Sequence, residues 1–129
     1  MAHNFLLVDD SRTARAILRK TLSLAGLATG QVHEAANGKE ALEILKSTPV
    51  DLVFANINMP LMGGVDMLAK MSERGLLGQI AVVVVTAEAE SPKIEKLMEL
   101  GVTAYVRKPF APEAVRKLVS SILEADDGG

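Results

Sequence analysis

Several residue types are missing or scarce in this chain of 129 residues: it has no cysteine and no tryptophan, and aromatic residues make up only 3%. Because there is no cysteine, a disulfide framework and thiol chemistry are both excluded. No apolar run approaches the roughly 18 residues of a membrane-spanning helix, and the run at 5–8 is too short for a secretory signal. The net charge of −2 gives no basic surface for nucleic acid. We therefore expect a soluble, cytoplasmic protein that binds neither membrane nor nucleic acid directly.

The rest of the composition is that of a folded domain. Hydrophobic residues make up 49% of the chain and charged residues 23%, which argues against disorder. A chain of this length buries roughly two thirds of the surface that its unfolded form exposes, so we expect a real hydrophobic core. We predict one domain over residues 1–124, followed by a tail or truncated linker at 125–129.

Two periodicities alternate along the chain. Short apolar runs, typical of strands buried on both faces, occur at 5–8, 52–55 and 80–85, with weaker candidates at 32–36 and 103–106. Helical spacing of apolar residues fills the intervals between these runs. The first helix is predicted to turn a stripe of side chains inward and to stop at Gly26, the stripe being Ala14, Ile17, Leu18, Thr21, Leu22 and Ala25.

The later helices have shorter inward stripes. These are Ala41, Leu42 and Leu45 before Pro49; Val65, Leu68 and Met71; Ile94, Leu97 and Met98 between Ser91–Pro92 and Gly101; and Val115, Leu118, Val119, Ile122 and Leu123 after Pro112. Strict alternation of strands and helices with short connections predicts an α/β fold. We expect five parallel strands in a doubly wound sheet, with helices on both faces and right-handed crossovers.

Polar residues gather where the predicted strands end, which is the edge at which an open parallel sheet binds its ligands. They are Asp9 and Asp10 after the first strand, Asn56 and Asn58 after the third, Thr86 after the fourth and Lys108 after the fifth. Carboxylate oxygens suit Mg²⁺, and a hydroxyl with a lysine ammonium suits a phosphoryl group. The pattern is typical of phosphoryl transfer, but it lacks a nucleophile. An aspartate at 56 could form an acyl phosphate, whereas an uncharged amide cannot attack phosphorus.

Five short motifs lie in order at these strand ends: VDDS at 8–11, NINMP at 56–60, MGG at 62–64, VVVVTA at 82–87 and YVRKPF at 105–110. With them the chain resembles, over residues 4–124, the receiver domain of bacterial two-component response regulators, and it is similar to the single-domain chemotaxis type. That family has D-x-x-M-P where this chain has NINMP, and usually M-D-G where it has MGG. The resemblance implies the flavodoxin-like strand order 2-1-3-4-5.

The resemblance also implies a metal site. Asp10 would bind Mg²⁺ directly, Asp9 would act mostly through water, and the backbone carbonyl of Asn58 would be a further ligand. The structural alternative for the two aspartates is that they only cap the first helix.

The phosphoryl and switch roles follow in the same way. Asn56 would occupy the phosphoacceptor position, Thr86 would hydrogen-bond the phosphoryl group, and Lys108 would pair with its oxygens. The peptide between Lys108 and Pro109 would be cis. Tyr105 would be the rotameric switch coupled to Thr86. The structural alternatives are that Thr86 is only a strand-end hydroxyl, that Lys108 is a solvated lysine and that Tyr105 is a half-buried strand aromatic.

Three explanations of Asn56 are open: a deliberate replacement of aspartate that locks the unphosphorylated state, a natural pseudo-receiver, and a receiver that uses another acceptor. Gly63 also departs from the acid common in the family, whereas the other side chains of the site are present. With Asn56 the chain should be a phosphorylation-silent binding domain and not an enzyme. Loss of one carboxylate should weaken Mg²⁺ binding. It should also leave Lys108 to form an ion pair with Asp9 or Asp10 instead.

The implied partners are a histidine kinase and a downstream target protein or output domain. They would meet a face formed by the fourth helix, the fifth strand and the fifth helix, which could also form a homodimer; its residues would be Lys93, Lys96, Glu99, Tyr105, Arg107 and Lys117. The alternative is a small flavodoxin-like protein that binds a nucleotide or FMN. Against it, the first strand–helix turn, DDSRT, has no phosphate-binding loop, and few aromatic side chains could stack on a flavin.

Overall fold

The computed structural model describes residues 3–26, 29–56, 64–87 and 92–127, without the side chains of Thr29, Gly64, Lys93 and residues 124–127. The strands are β1 (His3–Val8), β2 (Thr29–Ala35), β3 (Leu52–Asn56), β4 (Ala81–Thr86) and β5 (Ala104–Arg107). The helices are α1 (Arg12–Leu24), α2 (Gly38–Ser47), α3 (Gly64–Glu73), α4 (Pro92–Leu100) and α5 (Pro112–Asp127). A short 3₁₀ helix at Leu76–Gly78, which the apolar pattern did not indicate, follows α3.

All five strands lie in one parallel sheet in the order β2-β1-β3-β4-β5. The predicted fold class and strand order are therefore confirmed. Strand β3 is the middle of the sheet, with β1 on one side and β4 on the other. This arrangement places the carboxyl ends of β1, β3, β4 and β5 along one edge.

Each face of the sheet carries its own hydrophobic core. Val82 and Val84 of β4 belong to the core covered by α2, α3 and α4, whereas Val83 and Val85 belong to the core covered by α1 and α5. Successive strand residues point to opposite faces, so a strand buried on both sides needs an unbroken apolar run. The valine-rich run of β4 meets that requirement.

Helix ends follow local chemistry. Ser11 caps α1, since its side-chain oxygen accepts a hydrogen bond of 3.1 Å from the backbone N–H of Ala14. Gly26 and Gly101 follow α1 and α4 with φ of 71° and 110°, a conformation that favours glycine, and both predicted stops are confirmed. Helix α5 runs to Asp127, so the first three residues of the predicted tail are helical. Of the helices in the described residues, none is long and apolar enough to cross a membrane.

Two predicted core positions are wrong. The side chain of Ile17 is 56% exposed and that of Met98 is 42% exposed. Ile17 and Met98 lie at the edges of the buried stripes of α1 and α4, each next to a buried leucine, and neighbouring elements do not cover them fully. The buried stripes of both helices are narrower than the apolar pattern suggested.

Candidate functional site

The register of the sheet brings the ends of four strands together. Val8 of β1 pairs with Ala55 of β3, so Asp9 and Asn56 come next to each other along the edge. On the other side of β3, Asn56 pairs with Val85 of β4. Thr86 pairs with Arg107 of β5, which Lys108 follows. The ends of these strands, with Asp9, Asn56, Thr86 and Lys108, therefore lie along one edge of the sheet.

Asp9 is the most enclosed of these residues, with only 2% of its surface exposed. Its backbone N–H donates to the carbonyl of Ala35 at 3.1 Å, and its Oδ1 accepts from the N–H of Ser11 at 2.8 Å. Asp10, by contrast, is exposed. Ser11 is the residue that caps α1, so neither aspartate has that role.

Lys108 is held on both its backbone and its side chain. Its N–H donates to the carbonyl of Thr86 at 2.7 Å, which ties the residue to the end of β4. Its Nζ lies 3.9 Å from Oδ2 of Asp9, one of the two partners predicted for it. The peptide between Lys108 and Pro109 is cis, as predicted.

Asp9 and Lys108 also border a cavity of about 280 Å³. The rest of its wall is apolar and comes from α1, the end of β4 and the segment before α5: Ala14, Ile17, Leu18, Val85, Pro109 and Phe110. The ion pair therefore has apolar surroundings on one side, where water screens it less than at an open surface.

The two predicted switch residues differ in exposure. Thr86 is buried, with 5% of its surface exposed, whereas Tyr105 is 40% exposed. Tyr105 pairs with Val84, which lies two residues before Thr86 on β4. The two side chains are thus on the same face of the sheet, two residues apart in register. This placement is compatible with coupling between them, and the switch roles themselves stay predictions.

The oxygen donors at this edge are of the kind that Mg²⁺ prefers. Asp9 and Asp10 supply two carboxylates, and Asn56 adds an uncharged amide oxygen beside them. Over the described parts of the chain, no group of three or more His, Cys, Asp or Glu side chains could hold a metal. Mg²⁺ keeps several waters and needs only one or two carboxylates. Asn58, the predicted backbone ligand, lies outside the described residues.

Two residues next to this site were not predicted. Arg15 donates from Nη1 to the backbone carbonyl of Asp9 at 2.5 Å, and from Nε to Oε1 of Glu34 at 2.8 Å. Hydrogen bonds from Arg19 and then Arg15 hold the pKa of Glu34 below its usual value. These contacts join α1 to β2. Arg15 and Glu34 are 19 residues apart in the sequence, so no local pattern in the sequence indicates their contact.

Comparison with known proteins gives a family match. The sequence model described as "Response regulator receiver domain" matches residues 5–120. The chemotaxis protein CheY of Pseudomonas aeruginosa is 34% identical over 123 residues, which cover 95% of this chain and 98% of that protein. The match gives no support to the nucleotide- or FMN-binding alternative.

Solved structures agree with the fold. The chemotaxis protein CheY4 of Vibrio cholerae is 28% identical and superposes with a TM-score of 0.81, covering 95% of this chain and 99% of that one. The signal receiver domain of an HD domain-containing protein from Pseudomonas fluorescens is 25% identical, with a TM-score of 0.86 over 100% of both chains.

Proposed function

Because the chain belongs to the response regulator receiver domain family, we propose that it is a two-component signalling module whose phosphoacceptor position is held by Asn56. Receiver domains interact with histidine kinases and with downstream targets or output domains. With an amide at the acceptor position, this one binds its partners in the cytoplasm without being phosphorylated. Its role is that of a binding module and not of an enzyme.

The observation that supports this proposal is the position of Asn56 at the sheet edge that also carries Asp9, Thr86 and Lys108. Asn56 is the last residue of the central strand β3, next along the edge to the buried Asp9. An aspartate there would be well placed to accept a phosphoryl group beside Lys108 and Thr86. An amide has nearly the same shape but no negative charge, its nitrogen lone pair is delocalised and its oxygen is a poor nucleophile, so the acyl phosphate does not form.

Receiver domains generally bind Mg²⁺ at the phosphorylation site, where the ion neutralises phosphoryl charge. In this chain Asp9 and Asp10 would hold it, with the amide oxygen of Asn56 as a weaker donor. Removing one negative charge from the pocket weakens the attraction for a divalent cation, so we expect lower affinity than in an aspartate-containing receiver. Lys108 stays close to Asp9 and competes for the same carboxylate.

Partner binding would use the face formed by α4, β5 and α5. The side chains of this face that the structure describes are exposed and mostly charged: Lys96, Glu99, Tyr105, Arg107 and Lys117. Because Asn56 removes the phosphoryl input, this face either keeps one conformation or changes when a partner binds. A homodimer would be a second use of the same face.

The test is a paired intact-mass measurement. The chain and its Asn56→Asp variant are incubated with Mg²⁺ and acetyl phosphate, and the mass of each is checked for one added phosphoryl group. We expect the variant alone to gain it. If neither protein gains the group, the pocket is not a receiver site silenced by one amide. If the Asn56 protein gains it, the acceptor has been assigned to the wrong residue.

A further inference from the structure

Three charged side chains join the edge strand β2 to helix α1. Glu34 of β2 accepts from Nε of Arg15 at 2.8 Å through Oε1, and from Nη2 of Arg19 at 2.8 Å through Oε2. Arg15 is the more enclosed arginine, with a side chain 13% exposed against 49% for Arg19. One carboxylate thus holds two arginines in fixed places.

The two arginines differ in what else they contact. Arg15 donates from Nη1 to the carbonyl oxygen of Asp9 at 2.5 Å, whereas Arg19 donates to the carbonyl of Val32 at 3.1 Å. The carbonyl of Asp9 belongs to the peptide that links Asp9 to Asp10. Arg15 therefore holds the backbone between the two carboxylates, while Arg19 holds the edge strand.

We infer that Arg15, oriented by Glu34, is a positioning residue for Mg²⁺ at Asp9 and Asp10. The side chain of Asp9 is fixed by the N–H of Ser11 and its carbonyl is fixed by Arg15, so the turn that carries both carboxylates is held at two points. Partners that orient metal ligands without touching the metal change its affinity by about 10- to 100-fold. The inference rests on the proposed function, since it takes the two aspartates as the metal site.

A guanidinium can do this and an ammonium cannot. The rigid fork of Arg15 reaches Glu34 through Nε and Asp9 through Nη1 at the same time. A lysine keeps the charge but has a single nitrogen at the end of a flexible chain. Arg15→Lys therefore removes the positioning and keeps the electrostatics. Arg19→Lys is the matched control, because it makes the same change at the other partner of Glu34 and does not contact Asp9.

The experiment measures Mg²⁺ affinity by calorimetric titration in the Asn56→Asp background, alone and with each lysine substitution. We expect Arg15→Lys to raise the dissociation constant by about tenfold and Arg19→Lys by less than about twofold. The backbone ¹⁵N shift of Asp10 should move with Arg15→Lys and not with Arg19→Lys, because that nitrogen shares a peptide with the carbonyl that Arg15 contacts. Glu34→Gln, which loosens the anchor of Arg15 without removing it, should fall between the two.

The outcomes separate the inference from the proposed function. Equal weakening by the two lysine variants would overturn the inference, because the loss would then not depend on the contact with the carbonyl of Asp9, which Arg15 makes and Arg19 does not. Unchanged affinity in Arg15→Lys would overturn it too, as long as Asn56→Asp itself binds Mg²⁺. If Asn56→Asp neither binds Mg²⁺ nor takes up a phosphoryl group, the proposed function fails and the inference fails with it. Melting curves confirm folding, and Glu34→Gln takes the place of Arg15→Lys if that variant does not fold.

Discussion

Restoring a carboxylate at position 56 should make the metal-free protein less stable and the Mg²⁺-bound protein relatively more stable. Asn56 and Asp9 lie next to each other at the ends of neighbouring strands, which are about 4.8 Å apart. Two unit charges about 5 Å apart repel by about 3 kcal/mol at an effective dielectric of 20. The ammonium of Lys108, 3.9 Å from Asp9, offsets part of this repulsion, and water and proton uptake offset more.

A net destabilisation of about 1–2 kcal/mol is within the usual range for a single substitution. At about 2.1 cal/mol/K of unfolding entropy per residue, that lowers the melting temperature of the metal-free variant by about 4–7 °C. Mg²⁺ binds the folded state, so it stabilises the protein by an amount that depends on the dissociation constant. Mg²⁺ at about 10 mM stabilises a site with a dissociation constant of about 1 mM by about 1.4 kcal/mol, and a site of about 10 mM by about 0.4 kcal/mol.

Thermal melts followed by circular dichroism, with and without Mg²⁺ at constant ionic strength, test this prediction. Gln79→Glu is the matched control, because it makes the same amide-to-acid change at an exposed residue just before β4, at the opposite edge of the sheet. It should alter neither the metal-free melting temperature nor the response to Mg²⁺ appreciably. Identical melting curves for the parent and Asn56→Asp under both conditions would refute the electrostatic reasoning.

Two further predictions concern parts of the fold outside the pocket. Hydrogen bonds from Arg19 and Arg15 lower the pKa of Glu34 in the folded state, so its stabilising effect is present above its unfolded pKa and is lost as pH falls through the lowered folded pKa. Urea midpoints of the parent and Glu34→Gln should therefore converge once the pH is below that folded pKa, and a difference that stays constant with pH would contradict this. Asn37 caps α2 by accepting a hydrogen bond from the N–H of Glu40 at 2.9 Å. Asn37→Ala should therefore lower the free energy of unfolding, measured by denaturant titration, by about 1 kcal/mol. Asn37→Ser should lower it much less, because serine can also cap the helix.

The helix patterns show where local information was enough and where it was not. Leu18 and Leu22 of α1 were correctly predicted to be buried because helical spacing alone places them on one stripe. Ile17 was also predicted to be buried, and this was wrong, because its exposure depends on how α1 packs against the segment before α5. Hydrophobicity predicts that a side chain gains by burial, but only packing between elements decides how wide the buried stripe is.

The site divides in the same way. Asp9, Asp10, Asn56, Thr86 and Lys108 could be placed at one edge from sequence because parallel strands bring their carboxyl ends together. Their different environments could not be predicted. Asp9 is enclosed and Asp10, the next residue, is exposed, a difference that arises from the turn into α1.

The alternation of strands and helices, the doubly wound class and the edge at which the acids gather could all be predicted from sequence, because each depends on periodicities and breaks within short segments. The burial of Asp9 rather than Asp10, and the approach of Lys108 to Asp9 rather than Asp10, became clear only in the folded chain. The same is true of the contacts that Arg15 makes with both Asp9 and Glu34. These features join side chains from separate strands and helices, and their geometry exists only once the sheet has brought those elements together.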